Sequence, residues 1–405
     1  MAPAVDPVSA WARLGAGSLV RLHRVEIRLV ELEMLRPVRT SRGEHRRRPV
    51  VLVRLSGTCG GGPVEGWGEC AALADATYDV EDADRAFSSL ERTLGPALLS
   101  LAGATGPLPS MDAVTALRSR VPDAPLAYAA LEMAVADTHL RASDASFADL
   151  IGIPPDPGPV PVGAVVGEFG DDLDGLIDRI DALIDQGYAR IKMKIGRGAD
   201  IEPVDAVRRA HPGLFLQADA NEDYSEADID HLADLDRFGL ACIEQPFGRH
   251  DLAAHARLAQ RIATPVCLDE SLDSPGKVVA ALEMGACSVV CVKPSRLGGI
   301  GPALEVIQDC AASSIPVWIG GMFETGFARA ANTTLAAASG SQWPGDLSPA
   351  GSYLRPDPIP PSAEPYDPRT VVPGRTPGMG PAFDEEAVDQ LTTRIVHLEP
   401  GAGPG

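Results

Sequence analysis

Apolar and polar residues alternate singly from Arg21 to Leu32 (R-L-H-R-V-E-I-R-L-V-E-L), the period of a half-buried strand. P-V-V-L-V-R-L (Pro49 to Leu55) and G-W-G-E-C (Gly66 to Cys70) predict two more strands. Between the first two lies a polar, basic segment, L-R-P-V-R-T-S-R-G-E-H-R-R-R-P, expected to be a loop. The period then lengthens to that of helices near 80–101, 110–120 and, most clearly, 125–142 (P-L-A-Y-A-A-L-E-M-A-V-A-D-T-H-L-R-A). Strands followed by helices predict an α+β domain over residues 20–155. Residues 1–19, rich in Ala, Pro and Gly, are expected to be an ill-ordered extension.

After the link P-P-D-P-G-P the rhythm changes. Short apolar runs at 161–166, 190–195, 214–219, 241–244, 265–269, 288–293 and 316–320 alternate with helical stretches. Such alternation means parallel strands with helical crossovers. Seven units, with an eighth strand expected near P-G-D-L-S, predict a (β/α) barrel of the TIM type over residues 156–350. The Pro/Gly-rich tail, 351–405, is expected to return to the first domain.

The barrel strands end on charges at a fixed interval. Lys194 is followed after 25 residues by Asp219, after 25 more by Glu244, after 25 more by Asp269, and after 24 by Lys293. Strand ends in such a barrel converge on one face, where barrel enzymes keep their active sites. One strand-end carboxylate is as readily a helix cap or an ion-pair partner. Three in equal steps, bracketed by lysines, describe a ring around one pocket. Three carboxylates form a hard-oxygen set suited to Mg²⁺, with Mn²⁺ able to substitute, and no histidine or cysteine ends a strand as a zinc ligand would. Lys192 shares a strand face with Lys194. Crowding and a nearby dication are expected to lower the lysine pKa values and leave a neutral amine available. The fitting substrate is a small carboxylate with a C–H on its α-carbon.

The pieces K-M-K, D-A-N, I-E-Q-P, L-D-E-S and V-K-P-S-R-L-G-G resemble the enolase superfamily in its muconate-lactonising branch. Within it, P-V-R-T-S (37–41), G-W-G-E-C, I-G-G-M-F-E-T-G-F-A-R-A-A-N (319–332) and P-G-D-L-S-P (344–349) look most like o-succinylbenzoate synthases and N-acylamino-acid (N-succinylamino-acid) racemases. The resemblance spans roughly residues 22–360. It implies a modified (β/α)7β barrel with an α+β capping domain built from the N-terminal part and the C-terminal tail. It also implies Mg²⁺-dependent proton abstraction through an enediolate. Asp219, Glu244 and Asp269 would bind the metal. Lys194 and Lys293 would be acid/bases on opposite faces, and Lys192 would help hold the substrate carboxylate. Asn221 would support the metal site. Glu270 should point the other way, as an ion-pair partner. Arg296 would help keep Lys293 neutral, which favours racemisation. Gly320 and Gly321 would allow close backbone approach, with Glu324 just beyond. Arg39, Ser41 and Arg42 would lie on a loop closing over the substrate, where relatives carry an aromatic residue in place of Arg42. Members of the family usually form dimers or larger assemblies.

A net charge of −21 disfavours nucleic-acid or anionic-membrane partners. Seven cysteines without C-x-x-C spacing predict free thiols in a reducing cytoplasm, and no signal peptide or membrane span is expected. Muconate cycloisomerisation, dipeptide epimerisation and, more remotely, a Schiff-base aldolase using Lys293 remain open, as does a non-catalytic binding role. An epimerase would be expected to carry an Asp-x-Asp pair on its last strand, whereas G-D-L-S-P has only Asp346.

Overall fold

The computed structural model describes residues 5–40, 43–76, 78–103, 106–167, 172–340, 343–360 and 367–400, with backbone only for 36–40 and 43–45. The first strands form a long hairpin: β1 (Arg21–Thr40) pairs antiparallel with β2 (Gly43–Cys59), and β2 with β3 (Gly62–Cys70). The basic segment expected to be a loop is therefore strand on both arms, with Arg39 opposite Glu44 and Thr40 opposite Gly43. Its polar sequence hid the strand because pairing supplies the backbone hydrogen bonds whatever the side chains. Ser41 and Arg42 lie outside the described residues, as does the side chain of Arg39.

The helix Pro125–Ala142 lies across this sheet. Its contact explains two glycines of G-W-G-E-C: a Cβ at Gly68 would collide with the Ala130 carbonyl, and one at Gly66 with Thr138. Asp137 on that helix accepts from Trp67 N (2.8 Å) and from Met379 N (2.6 Å) in the tail. The tail supplies two strands to β1: β11 (Leu354–Arg355) and β12 (Thr392–Leu398).

Residues 5–19 are not a loose extension. Asp6 caps a helix over Pro7–Arg13, and Trp11 is buried. Glu132 joins three elements. It accepts from Trp11 Nε1 (3.3 Å) and from Ile300 N (2.6 Å) and Gly301 N (3.2 Å), which open the helix Ile300–Ala312. Composition predicts an ill-ordered extension; a tertiary anchor at Trp11 fixes a helix.

The second sheet holds seven parallel strands in sequence order: β4 (Gly163–Val166), β5 (Arg190–Lys194), β6 (Leu216–Asp219), β7 (Ile243–Glu244), β8 (Val266–Leu268), β9 (Val289–Val292) and β10 (Val317–Ile319). Most of their residues are buried on both faces, as parallel strands covered by helices require. The eighth stave is short, formed by Gly345 and Asp346. Asp346 N donates to Ile319 O (2.9 Å), Gly345 N to Pro161 O (3.2 Å), and Gly163 N to Gly345 O (2.8 Å). That closes the ring between β10 and β4 and gives the modified TIM barrel with its capping domain.

Three buried glutamates depart from ordinary behaviour. Burial pushes Glu81 up to about 8, and Glu69 and Glu132 up to about 7, from 4.5. Between 4.5 and those values the folded chain keeps protons that the unfolded chain releases, so stability falls as pH rises. The urea midpoint is expected to drop from about pH 5 to about pH 8. Glu81→Gln, which keeps one of the two oxygens that accept from Leu126 N and Ala127 N, is expected to flatten that slope. A Glu81→Gln profile as steep as wild type would show that Glu81 is already ionised in the folded protein.

Candidate active site

The parallel register sets Lys194 beside Asp219, and Asp219 beside Glu244. Asp269 and Lys293 follow one residue after β8 and β9, so all five ladder residues sit at one mouth of the barrel. Lys194 Nζ donates to Asp219 Oδ2 and to Asn221 Oδ1, both at 2.6 Å. On the other side Lys293 Nζ donates to Asp269 Oδ2 (2.7 Å). Lys192 lies deeper, 2.8 Å from Asp346 Oδ2, 3.3 Å from Glu244 Oε2 and 3.5 Å from Asp219 Oδ2. Arg296 pairs with Asp269 Oδ1 and reaches Asp79 Oδ2 (3.3 Å).

Burial and charge act in opposition on these groups. Burial would raise Asp269 and Asp219. The Arg296 and Lys293 cations hold Asp269 far below the usual carboxylate range, and Lys194 and Lys192 hold Asp219 low. Glu244 lacks so close a cation, and burial beside Asp219 pushes it up to about 8. The expected lowering of the lysine pKa values invokes a dication; the protein's own groups act in the opposite direction. Burial pulls Lys192 and Lys293 down, but Asp346 beside the first and Asp269 beside the second outweigh it and hold both above the usual lysine range. Arg296 does act on Lys293 in the expected, lowering direction, as a smaller contribution.

Glu270 also departs from expectation. Its Oε1 accepts from Asn221 Nδ2 (2.9 Å), and it forms no ion pair among the described residues. The turn after β8 swings it toward the Asn221–Lys194 side, where burial pushes it up to about 7. Gly320 and Gly321 lie where a side chain would meet the protein's own residues. A Cβ at Gly320 would come within 2.7 Å of Cys291 Sγ and 2.8 Å of Lys293 Cε, and one at Gly321 within 2.8 Å of Arg329 Nη1. Glu324 is buried, held by Met322 N (2.9 Å), Asn332 Nδ2 (3.1 Å) and Arg329 Nη2 (2.6 Å). It shapes the loop after β10. Arg48 is buried and donates to two carbonyls, Phe323 O (3.0 Å) and Ala72 O (2.7 Å).

Several residues here gave no sequence signal. Tyr78, from the capping domain, donates to Asp269 Oδ2 (2.8 Å) and accepts from Lys293 Nζ. Its backbone is tied to the barrel by Arg249, which donates to Tyr78 O (2.9 Å) and to Glu222 Oε2 (2.8 Å). Gln245 Oε1 accepts from Asp269 N (3.0 Å) and Ser271 N (3.2 Å) and so shapes the turn carrying Asp269. Gln217 donates to Glu244 Oε2 and accepts from Arg190 Nη1 (2.9 Å). One local signal exists in the backbone alone. Asn221, Glu222, Gln245 and Phe323, four of the six described non-glycine residues with left-handed φ, all line this mouth. Strained backbone concentrates at functional sites.

Does the donor set fit a divalent cation? Asp219 Oδ1 accepts from Asn221 N (3.1 Å), and both Asp269 oxygens are engaged. Glu244 Oε1 is buried with no partner among the described residues. A buried carboxylate oxygen with no protein partner is available to a cation. The carboxylates suit Mg²⁺. The most compact described group, however, is Glu244, Asp269 and Cys291, with Asp219 drawn toward Lys194. Cysteine thus approaches the centre from below, where strand endings alone suggested none. Cys242, Cys267 and Cys291 pack together with Val289 and Trp318.

Two family models cover most of the chain: the mandelate racemase / muconate lactonizing enzyme N-terminal domain over residues 24–152, and an enolase C-terminal domain-like model over 175–387. An N-succinylamino acid racemase from an Amycolatopsis species is 41% identical over 94% of this chain and all of its own length. An o-succinylbenzoate synthase from Geobacillus kaustophilus is 34% identical over 92% of this chain and 96% of its own. A solved enolase-superfamily structure from Listeria innocua superposes with a TM-score of 0.86 at 31% identity, covering 94% of this chain and all of that one. Among the described residues no helix is long and apolar enough to cross a membrane.

The Arg190–Gln217–Glu244 chain has a measurable consequence. Gln217→Leu keeps the side-chain volume but releases Glu244 Oε2. It is expected to weaken divalent-cation binding about 10- to 100-fold by isothermal titration calorimetry. Unchanged affinity would mean that Gln217 serves only the barrel core.

Proposed function

The chain belongs to the mandelate racemase / muconate lactonizing enzyme family of the enolase superfamily, and from that premise we propose that it racemises N-acylamino acids, N-succinylamino acids in particular, by two-base proton transfer at the α-carbon. The observation that carries this reading is the placement of Lys194 against Asp219 and Lys293 against Asp269, with Glu244 between those carboxylates. Racemisation needs a base on each face of the substrate, one to take the α-proton and one to return it. A dehydration can be run with one.

Asp219, Glu244 and Asp269 would hold Mg²⁺, or Mn²⁺ in its place. When bound, the ion supplies positive charge against the substrate carboxylate as its α-proton leaves. Those carboxylates would then be shared with the cation and would hold the lysine ammonium groups less firmly. Lys194 Nζ would take the proton from one enantiomer while Lys293 Nζ delivers one to the opposite face, and the roles reverse for the other enantiomer. Arg296 disfavours a second positive charge at Lys293, which supports its turn as base. Lys192, among Asp219, Glu244 and Asp346, is placed to meet negative charge developing on the substrate carboxylate. Tyr78 and the Gly320 backbone pack against Lys293 and keep its amine in place.

o-Succinylbenzoate synthesis is a second reading on the same residues. It is favoured by the relative from Geobacillus kaustophilus, similar over nearly the whole chain.

The test follows the α-proton of a single-enantiomer N-succinylamino acid in D₂O by NMR, together with the enantiomer ratio. Exchange with racemisation, abolished by EDTA and restored by Mg²⁺, is expected. Lys194→Ala and Lys293→Ala should each cut racemisation by about 10²- to 10⁴-fold. Each should also retain exchange for only one enantiomer, and not the same one. Formation of o-succinylbenzoate from its precursor with no α-proton exchange would replace the racemase reading with the synthase one.

A further inference from the structure

Directly beneath the strand-end carboxylates lies a sulfur atom. One donor atom each from Glu244, Asp269 and Cys291 fall within 4.8 Å of one another, and all three residues are buried. Cys291 sits on β9 two residues before Lys293, so its side chain shares that lysine's face of the strand. The buried thiols of Cys267 and Cys291 are not equivalent. Cys267 Sγ accepts from Trp318 Nε1 (3.4 Å) and faces the Leu268 carbonyl (3.8 Å). Cys291 has no hydrogen-bond partner among the described residues, and the bare Gly320 backbone leaves room for its sulfur. The second observation is independent of the cysteine: Glu244 is wholly buried, and its Oε1 has no partner among the described residues.

We propose that Cys291 makes this a mixed oxygen–sulfur centre, in which Glu244, Asp269 and Cys291 take a thiophilic divalent cation of the zinc or cadmium class, in competition with the oxygen-only set that Asp219 completes. The inference rests on the reading that these carboxylates hold a cation, and adds a residue that decides which one. Softness separates the two arrangements. Thiolate sulfur prefers zinc, cadmium and cobalt, and offers little to Mg²⁺. As the metal–sulfur bond forms, the S–H bond breaks and its proton passes to solvent. An ion held in this way occupies two of the three carboxylates without Asp219. Zinc or cadmium is therefore expected to inhibit turnover while binding tightly.

The test needs no substrate. Metal-free protein is titrated with Co²⁺ and with Cd²⁺ while the near-ultraviolet thiolate-to-metal charge-transfer absorption is recorded. The wild type and Cys267→Ser should show the band, and Cys291→Ser should lack it. Cys291→Ser should bind Cd²⁺ about 10- to 100-fold more weakly, while its Mg²⁺ affinity by calorimetry changes by less than about twofold. Cys291→Ala, checked by thermal unfolding, guards against a serine variant that folds poorly. Mg²⁺ binding without any thiolate band in wild type would overturn this proposal and leave the oxygen-only centre standing. A band retained in Cys291→Ser would assign the sulfur to another cysteine, also overturning it. Failure of every divalent ion to bind would remove both this proposal and the metal reading beneath it.

Discussion

The mouth of the barrel is built around charges buried against one another. Lys192, Lys293, Arg296, Asp219, Glu244 and Asp269 are all more than nine-tenths buried. Placing any one of them alone in the interior would cost several kcal/mol. They persist because each faces an opposite charge or a hydrogen-bonding group: Asp219 with Lys194, Asp269 with Lys293 and Arg296, and Lys192 with Asp346. Among their carboxylates, Glu244 keeps one oxygen, Oε1, with no partner among the described residues. That imbalance is the physical reason to expect a cation here, and it stands apart from any likeness to other proteins.

A ring of this kind works only if its members are held from behind. Gln217 and Arg190 fix Glu244, Gln245 fixes the turn bearing Asp269, and Trp318 stacks on both Arg190 (4.8 Å) and Lys192 (4.7 Å). The capping domain adds a second set of constraints. Glu69 accepts from Thr325 N (2.8 Å), Arg48 holds the Phe323 carbonyl, and Tyr78 enters the ring itself. The loop after β10 is thus clamped from both domains. Two domains that look separable along the chain form one site.

The sequence revealed those parts of the site that depend on a repeating unit. Each β/α unit returns the chain to the same face after nearly the same number of residues, so ladder residues can be found by spacing. The layer behind them does not repeat. Gln217, Gln245, Tyr78 and Arg249 act through partners 24 to 191 residues away, and no local pattern marks such pairs. Glu270 was misread because strand parity was extended past the end of β8, where the chain already turns. The Pro7–Arg13 helix was missed for a related reason: a single buried tryptophan, anchored on Glu132, outweighs an Ala/Pro-rich composition.

The same carboxylates have two claimants, and this conflict shapes how the site can work. Without a cation, Asp219 and Asp269 stabilise lysine ammonium groups, and an ammonium group cannot accept a proton. Any cation held by these carboxylates must weaken those ion pairs, because both draw on the same negative charge. Loading the centre and freeing the bases are then one event. Arg296 on Asp269 and Asn221 on Asp219 keep the carboxylates oriented while their charge is shared. Lys192 is different, since Asp346 lies outside the three carboxylates proposed to hold the cation and would still hold Lys192 once they were shared. In the proposed mechanism, that division would leave two lysines able to exchange protons and one that remains a fixed positive charge.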